Sequence, residues 1–272
     1  MVHRHRTRSI GSVFDRSVRE ELRAMAGWTF GLAVYAFAMG AVFTSIHTNP
    51  LFDQIAKNYP EALKSLFQMS DYTTGVGYMR VEVVAVIAPL LVITFSILWG
   101  GDLLAGEEDR GTLDLLLANP VSRSRVFLEK FAALALGMFA AAGGLVLGLV
   151  VGSPLFDLKL GTSACLATGV SIALLALLFG TLALALGAAT GSRGIARGLT
   201  VLVVVVAYLV SGLADLVTWL KQVRPFSPWY HAMAIDPLGT GWHLWHLVAL
   251  LGVTVVIAAV GALAFERRDL ST

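Results

Sequence analysis

The chain has 272 residues, of which 57% are hydrophobic and only 14% are Asp, Glu, Lys or Arg, against about 25% charged in an average soluble domain. That deficit excludes a soluble globular protein and makes the chain an integral membrane protein by composition. A formal net charge of +2 leaves no basic surplus for a nucleic-acid surface, and a lone Cys165 excludes an intrachain disulfide.

Arg4, Arg6 and Arg8 open a basic leader, but the apolar run behind it starts only at residue 25 and has no small-x-small cleavage pattern. A signal peptide is therefore not expected. Between the two, Ile10, Val13, Phe14, Val18 and Leu22 recur at helical spacing, with Asp15, Arg16, Arg19, Glu20 and Arg23 on the other face. This predicts an amphipathic helix lying on the inner membrane surface before the first span.

A hydrocarbon core about 30 Å thick needs about 20 apolar residues of helix. Six segments qualify: 25–46, 83–101, 131–151, 163–190, 199–217 and 244–265. The predicted fold class is all-α, a polytopic membrane protein with six transmembrane helices forming one transmembrane domain over 1–272. Lys and Arg number fourteen in the loops on the N-terminal side and six in the others, which predicts both termini in the cytoplasm of a cell with the protein in its plasma membrane. The outer loop after the first span carries Leu51, Phe52, Ile55, Leu63, Leu66 and Phe67 around Pro60, a pattern of short interfacial pieces. Pro89 is expected to kink the second span.

The segment between the second and third spans, from Asp102 to Lys130, carries the most information. Residues 107–118 are expected to form one short helix, with acids in its first turn and Asn119-Pro120 at its end. Glu107, Arg110 and Asp114 would make a charged stripe, beside Leu113, Leu116 and Leu117. Pattern alone leaves two readings open: a mixed face offered to a soluble partner, or a surface helix resting its leucines in lipid.

In the third span Gly144, Gly148 and Gly152 stand four apart, a smooth ridge for close helix packing, within the chain in the first place and otherwise as a seam between two copies. Alanine at Gly148 is expected to be tolerated there. Gly180, Gly187 and Gly191 form a similar series on the fourth span. Near the last span, His231, His243 and His246 lie among Trp229, Trp242 and Trp245. They read as interfacial anchors, since a zinc site would need a further firm ligand and only Asp236 is close in sequence.

The run Glu107-x-x-x-Gly111-Thr112-Leu113-x-x-Leu116-Leu117-x-x-Pro120-Val121-Ser122-Arg123, followed by Lys130, resembles the signature of the ABC type-2 exporter permeases. Six spans with both ends inside, the helix before the first span and Pro225-Phe-Ser-Pro228 before the last extend the likeness over the chain. The resemblance implies that 107–118 is a coupling helix docking on a separate ATP-binding subunit. The implied contact residues are Glu107, Glu108, Arg110, Gly111, Thr112, Leu113, Asp114, Leu116, Leu117, Pro120 and Arg123, with Glu107 favoured over Glu108 as the main acid. It further implies two ATPase chains and a second permease chain, identical or homologous, in one pump, with ATP and Mg bound by the partner and no cofactor by this chain.

No Gly-x-x-x-x-Gly-Lys-Ser/Thr loop, His-Glu-x-x-His or Gly-x-Ser-x-Gly occurs in the sequence, so this chain is expected to be a transporter subunit without catalytic residues. An ATP-independent secondary transporter or channel is the alternative. Such proteins usually carry ionisable groups at mid-membrane, and the six spans here have none near their middles. An uncharged path of small and aliphatic side chains points to hydrophobic or amphipathic cargo, such as drugs or lipids.

Overall fold

The computed structural model describes residues 12–46, 72–113, 116, 118 and 121–268. The basic leader and the outer pieces expected around Pro60 lie outside those residues. Every regular element among the described residues is helical, and six helices are long and apolar enough to cross a membrane.

The first helix, α1, runs unbroken from Val13 to Ile46. At 1.5 Å per residue its length is roughly 50 Å, well beyond a hydrocarbon core of about 30 Å. The amphipathic stretch is therefore the N-terminal continuation of the first span and not a separate surface helix. Nothing between residues 13 and 46 breaks the backbone, since no proline occurs there. Its first turn is capped twice: the Ser12 hydroxyl accepts from the Asp15 amide at 3.1 Å, and the Glu129 carboxylate accepts from the Phe14 amide at 3.0 Å. Val13, Phe14 and Val18 pack on the protein core, while Leu22 is exposed. The apolar stripe thus serves helix packing more than lipid.

The second crossing is assembled from pieces. A short α2 (Gly75–Met79) passes into a π-helical turn (Arg80–Val84), then into α3 (Ile87–Leu103). The irregularity lies at Val86, whose φ is −137°, upstream of Pro89. Pro89 is the third residue of α3, where its missing N–H has no intrahelical partner to lose. The interruption expected at that proline lies instead at Val86, between the π turn and α3.

After a short α4 (Ala105–Asp109), the remaining crossings are α5 (Arg123–Leu155), α6 (Thr162–Thr190), α7 (Arg193–Leu213) and α10 (Leu244–Arg267). Between α7 and α10 lie α8 (Thr218–Val223), a 3-10 turn (Arg224–Phe226), a π turn (Tyr230–Ala234) and α9 (Pro237–Thr240). The most deeply buried crossing is α6, packed by α3, α5, α7 and α10.

Small residues set the closest approaches. The Ser96 hydroxyl of α3 donates to the Ala176 carbonyl of α6 at 2.5 Å, and a Cβ on Gly180 would collide with Ser96. The ridge on α5 faces α1 of the same chain: Gly144 lies against the Thr29 carbonyl and Gly148 against Ala33 and Ala36. A Cβ on Gly148 would stand 2.9 Å from the Ala36 Cβ and closer still to the Ala33 oxygen. Alanine is therefore not tolerated there without movement, contrary to the sequence expectation. Gly152 is looser, with its nearest neighbour at 3.5 Å.

One end of the bundle gathers the start of α1, the ends of α3, α6 and α10, and the starts of α5 and α7, with Arg16, Arg110, Arg123, Arg193, Arg197 and Arg268 among them. The other end exposes Trp219, Trp242 and Trp245. Trp229 departs from that belt. It is buried, with its ring edge-on to Tyr208 at 4.9 Å.

Candidate functional site

At the basic end, α4 leads into a turn that stops the helix. The Gly111 amide donates to the Glu108 carbonyl at 2.9 Å and the Thr112 amide to the Glu107 carbonyl at 2.9 Å. With Gly111 at φ +67°, this pair of bonds is a Schellman stop, which a left-handed residue after the helix permits. A fresh turn begins at Thr112, whose carbonyl accepts from the Leu116 amide at 3.1 Å. The single helix expected over 107–118 is thus broken at Gly111. A Cβ on Gly111 would meet nothing within 4 Å, so the glycine is required by its backbone angle and not by a crowded neighbour within the chain.

Consecutive residues of a helix point about 100° apart, and the acids of α4 diverge accordingly. Glu107 turns inward: it is 5% exposed and pairs with Lys130 of α5, itself 1% exposed, at 3.0 Å. Its second carboxylate oxygen is buried without a hydrogen-bond partner. Glu108 pairs with Arg268 beyond the end of α10, whose guanidinium also donates to the Ala188 carbonyl of α6 at 3.1 Å. Asp109 pairs with Arg193 at the start of α7 at 2.5 Å. Beneath them Asp102 binds Arg110 at 3.2 Å, Arg193 at 3.1 Å and Arg197 at 3.5 Å.

Of the expected charged stripe, Glu107 and Arg110 do not share an outward face, since Glu107 is buried and Arg110 exposed. Glu107, expected as the principal contact to a partner, is interior and already paired. Leu113 and Leu116 are buried in the core instead of forming a surface stripe. Arg123, also expected to face a partner, donates to the carbonyls of Phe265 and Arg268 and lies 5.8 Å over the Phe265 ring. It closes the C-terminal end of α10, where free carbonyls favour a cation. Asp114, Leu117 and Pro120 lie outside the described residues. What remains open is the tip: Asp109, Arg110 and Gly111 are exposed, with Glu108 and Thr112 partly so.

Sequence reasoning missed Asp102, Asp109, Arg193, Arg197 and Arg268 as members of this site. The four-residue spacing of Arg193 and Arg197 at the mouth of a span was the available signal, because two cations on one helix face near a membrane edge invite an acid between them.

At the opposite end, Arg80 holds Asp236 through two bonds at 2.8 and 2.6 Å, tying the π turn of the second crossing to the start of α9. Asp236 is thus committed to an arginine. His231 and His246 meet through their Nδ1 atoms at 2.8 Å, while the His231 Nε2 lies 2.7 Å from the Pro225 carbonyl. Among the described residues no three His, Cys, Asp or Glu side chains converge as metal ligands. On the side of the bundle an apolar groove of about 450 Å³ is lined by Ala24, Gly27, Trp28, Gly31, Leu32 and Leu91.

Residues 12–266 match the family model described as the multidrug efflux system permease Rv1217c, C-terminal domain. The chain belongs to this family. The match spans the whole bundle from the Ser12 cap to the last turn of α10, and agrees with the resemblance to the ABC type-2 exporter permeases. No curated protein matches the chain. The permease is accordingly a multi-pass membrane protein, and a transporter subunit more than an enzyme.

Proposed function

We propose that this permease is the transmembrane subunit of an ATP-driven exporter and that the turn at 105–113 receives the stroke of a separate ATPase subunit. The observation that carries the proposal is the exposed tip of Asp109, Arg110 and Gly111, standing on a segment otherwise anchored inside the bundle. A lever needs an accessible end to be pushed and an anchored end to transmit, and this segment has both. The family match supports efflux as the task.

In this reading residues 1–272 act as one transmembrane domain in the plasma membrane. Both termini and the basic end face the cytoplasm, following the excess of Lys and Arg there. Two permease chains and two ATPase chains make the pump, with ATP and Mg held by the ATPase. The Arg110 guanidinium and the glycine beside it are the contact points, and Glu107 acts from inside. Cargo is hydrophobic or amphipathic, of the drug or lipid class. The apolar groove beside Gly27 and Gly31 supports this, since it offers contact area without a charge to exclude such molecules.

Co-purification with the ATPase subunit tests the proposal. The expected result is a complex with equal numbers of the two chains that exports an amphipathic dye from proteoliposomes only with ATP and Mg present. Export by the permease alone, unaffected by ATP, would overturn it and favour an ATP-independent carrier.

A further inference from the structure

Three consecutive carboxylates in α4 each grip a basic side chain on, or just past the end of, a different crossing. Glu107 reaches Lys130 of α5 at 3.0 Å, Glu108 reaches Arg268 at the end of α10, and Asp109 reaches Arg193 of α7 at 2.5 Å. Asp102, at the end of α3, joins the last of these by binding Arg193 at 3.1 Å and Arg197 at 3.5 Å. The backbone of α4 follows directly from α3 through Leu104, so displacement of this turn bears on the basic ends of four crossings.

From this geometry we infer that Glu107, Glu108 and Asp109 are positioning residues that distribute the movement of one short turn to α5, α10 and α7 together. The inference rests on the coupling role proposed above and adds how that role is executed. Helical geometry explains why three adjacent residues are needed. Successive side chains diverge by about 100°, so three in a row span about 200° and reach helices on separate sides of the turn. The rigid partner is Lys130, whose ammonium is buried and cannot exchange its carboxylate for water without opening the core. Arg193 and Arg268 lie nearer the surface, which leaves those two contacts freer to slide as α7 and α10 tilt. Arg268 also donates to the Ala188 carbonyl, so the Glu108 tether includes the C-terminal end of the central helix α6.

A structural contact and a transmitting one make different predictions for coupling. The test uses the full pump in proteoliposomes and compares wild type with Arg268→Gln, Arg193→Gln, and the exchanged pair Glu108→Arg with Arg268→Glu. Assembly is checked by size, and both the KM for ATP and the molecules exported per ATP hydrolysed are measured. The neutral variants are expected to assemble and keep the ATP KM, while export per ATP falls about fivefold, the upper range for a partly exposed ion pair. The exchanged pair is expected to recover most of that loss. An unchanged export ratio in both neutral variants overturns the inference, as does an exchanged pair that assembles but stays uncoupled. A wild-type permease that exports without any ATPase subunit overturns the coupling role itself, a result distinct from both.

Discussion

Alanine at Gly148 is a one-carbon change whose effect follows from a single contact. The added Cβ would stand 2.9 Å from the Ala36 Cβ and closer to the Ala33 carbonyl oxygen, whereas carbon atoms rest at about 3.5–4.0 Å. The α1–α5 seam must therefore open by about 1 Å at its tightest point, and overpacking of that kind costs about 1–3 kcal/mol. Alanine's better helix propensity opposes this by at most about 1 kcal/mol, so destabilisation wins. Two neighbours serve as controls. Gly152→Ala meets its first atom at 3.5 Å and Gly143→Ala meets nothing within 4 Å, so both should be silent or slightly stabilising. Thermal unfolding in detergent, read as the monodisperse fraction surviving heating, should place Gly148→Ala several degrees below wild type with both controls at or above it. Equal midpoints for Gly148→Ala and Gly152→Ala would refute the steric reasoning.

Three further outcomes follow from the same structure. Lys130→Met strands the Glu107 carboxylate in the core and should cost about 3–5 kcal/mol, while Lys130→Met with Glu107→Met should recover most of the loss, because a buried ion pair exchanged for apolar groups is near neutral; the detergent melt reads both. Gly111→Ala must hold φ near +67° at a cost of about 1–2 kcal/mol, so hydrogen exchange should quicken across 107–113 and stay unchanged in α6. With Cys165→Ala as background, Lys221→Cys should react with an impermeant thiol reagent in intact cells and Arg125→Cys only after permeabilisation; the reverse pattern would invert the topology.

The six crossings were legible because the bilayer imposes a length and a composition that no packing detail disguises. Their ends were not. Hydropathy starts the third span at residue 131, but α5 begins at Arg123, since a helix continues through charged residues once it leaves the lipid. The same blindness separated the amphipathic stretch from the first span, although the backbone of α1 crosses that boundary of composition without a break. The segment around Gly111 was singled out through its motif, with the glycine expected to serve docking on a partner. Its backbone role, a left-handed helix stop, was hidden because Glu107, Arg110 and Asp114, with Leu113, Leu116 and Leu117, keep a helical period across it. The directions of the acids were least legible. They depend on partners far along the chain, 84 residues away for Asp109 and 160 for Glu108, and local periodicity carries no information about which cation folds back to meet them.

Coupling through the exposed tip is tested most directly by a photo-crosslinking amino acid placed at Arg110 in the assembled pump, with a second at Trp245, which is 74% exposed at the opposite end. Irradiation should join position 110 to the ATPase subunit, with a yield that changes when ATP is bound, and should give no ATPase adduct from position 245. An ATPase adduct from position 245 and none from 110, in a pump that still exports with ATP, would contradict the assignment of the turn as the point where the stroke enters the permease.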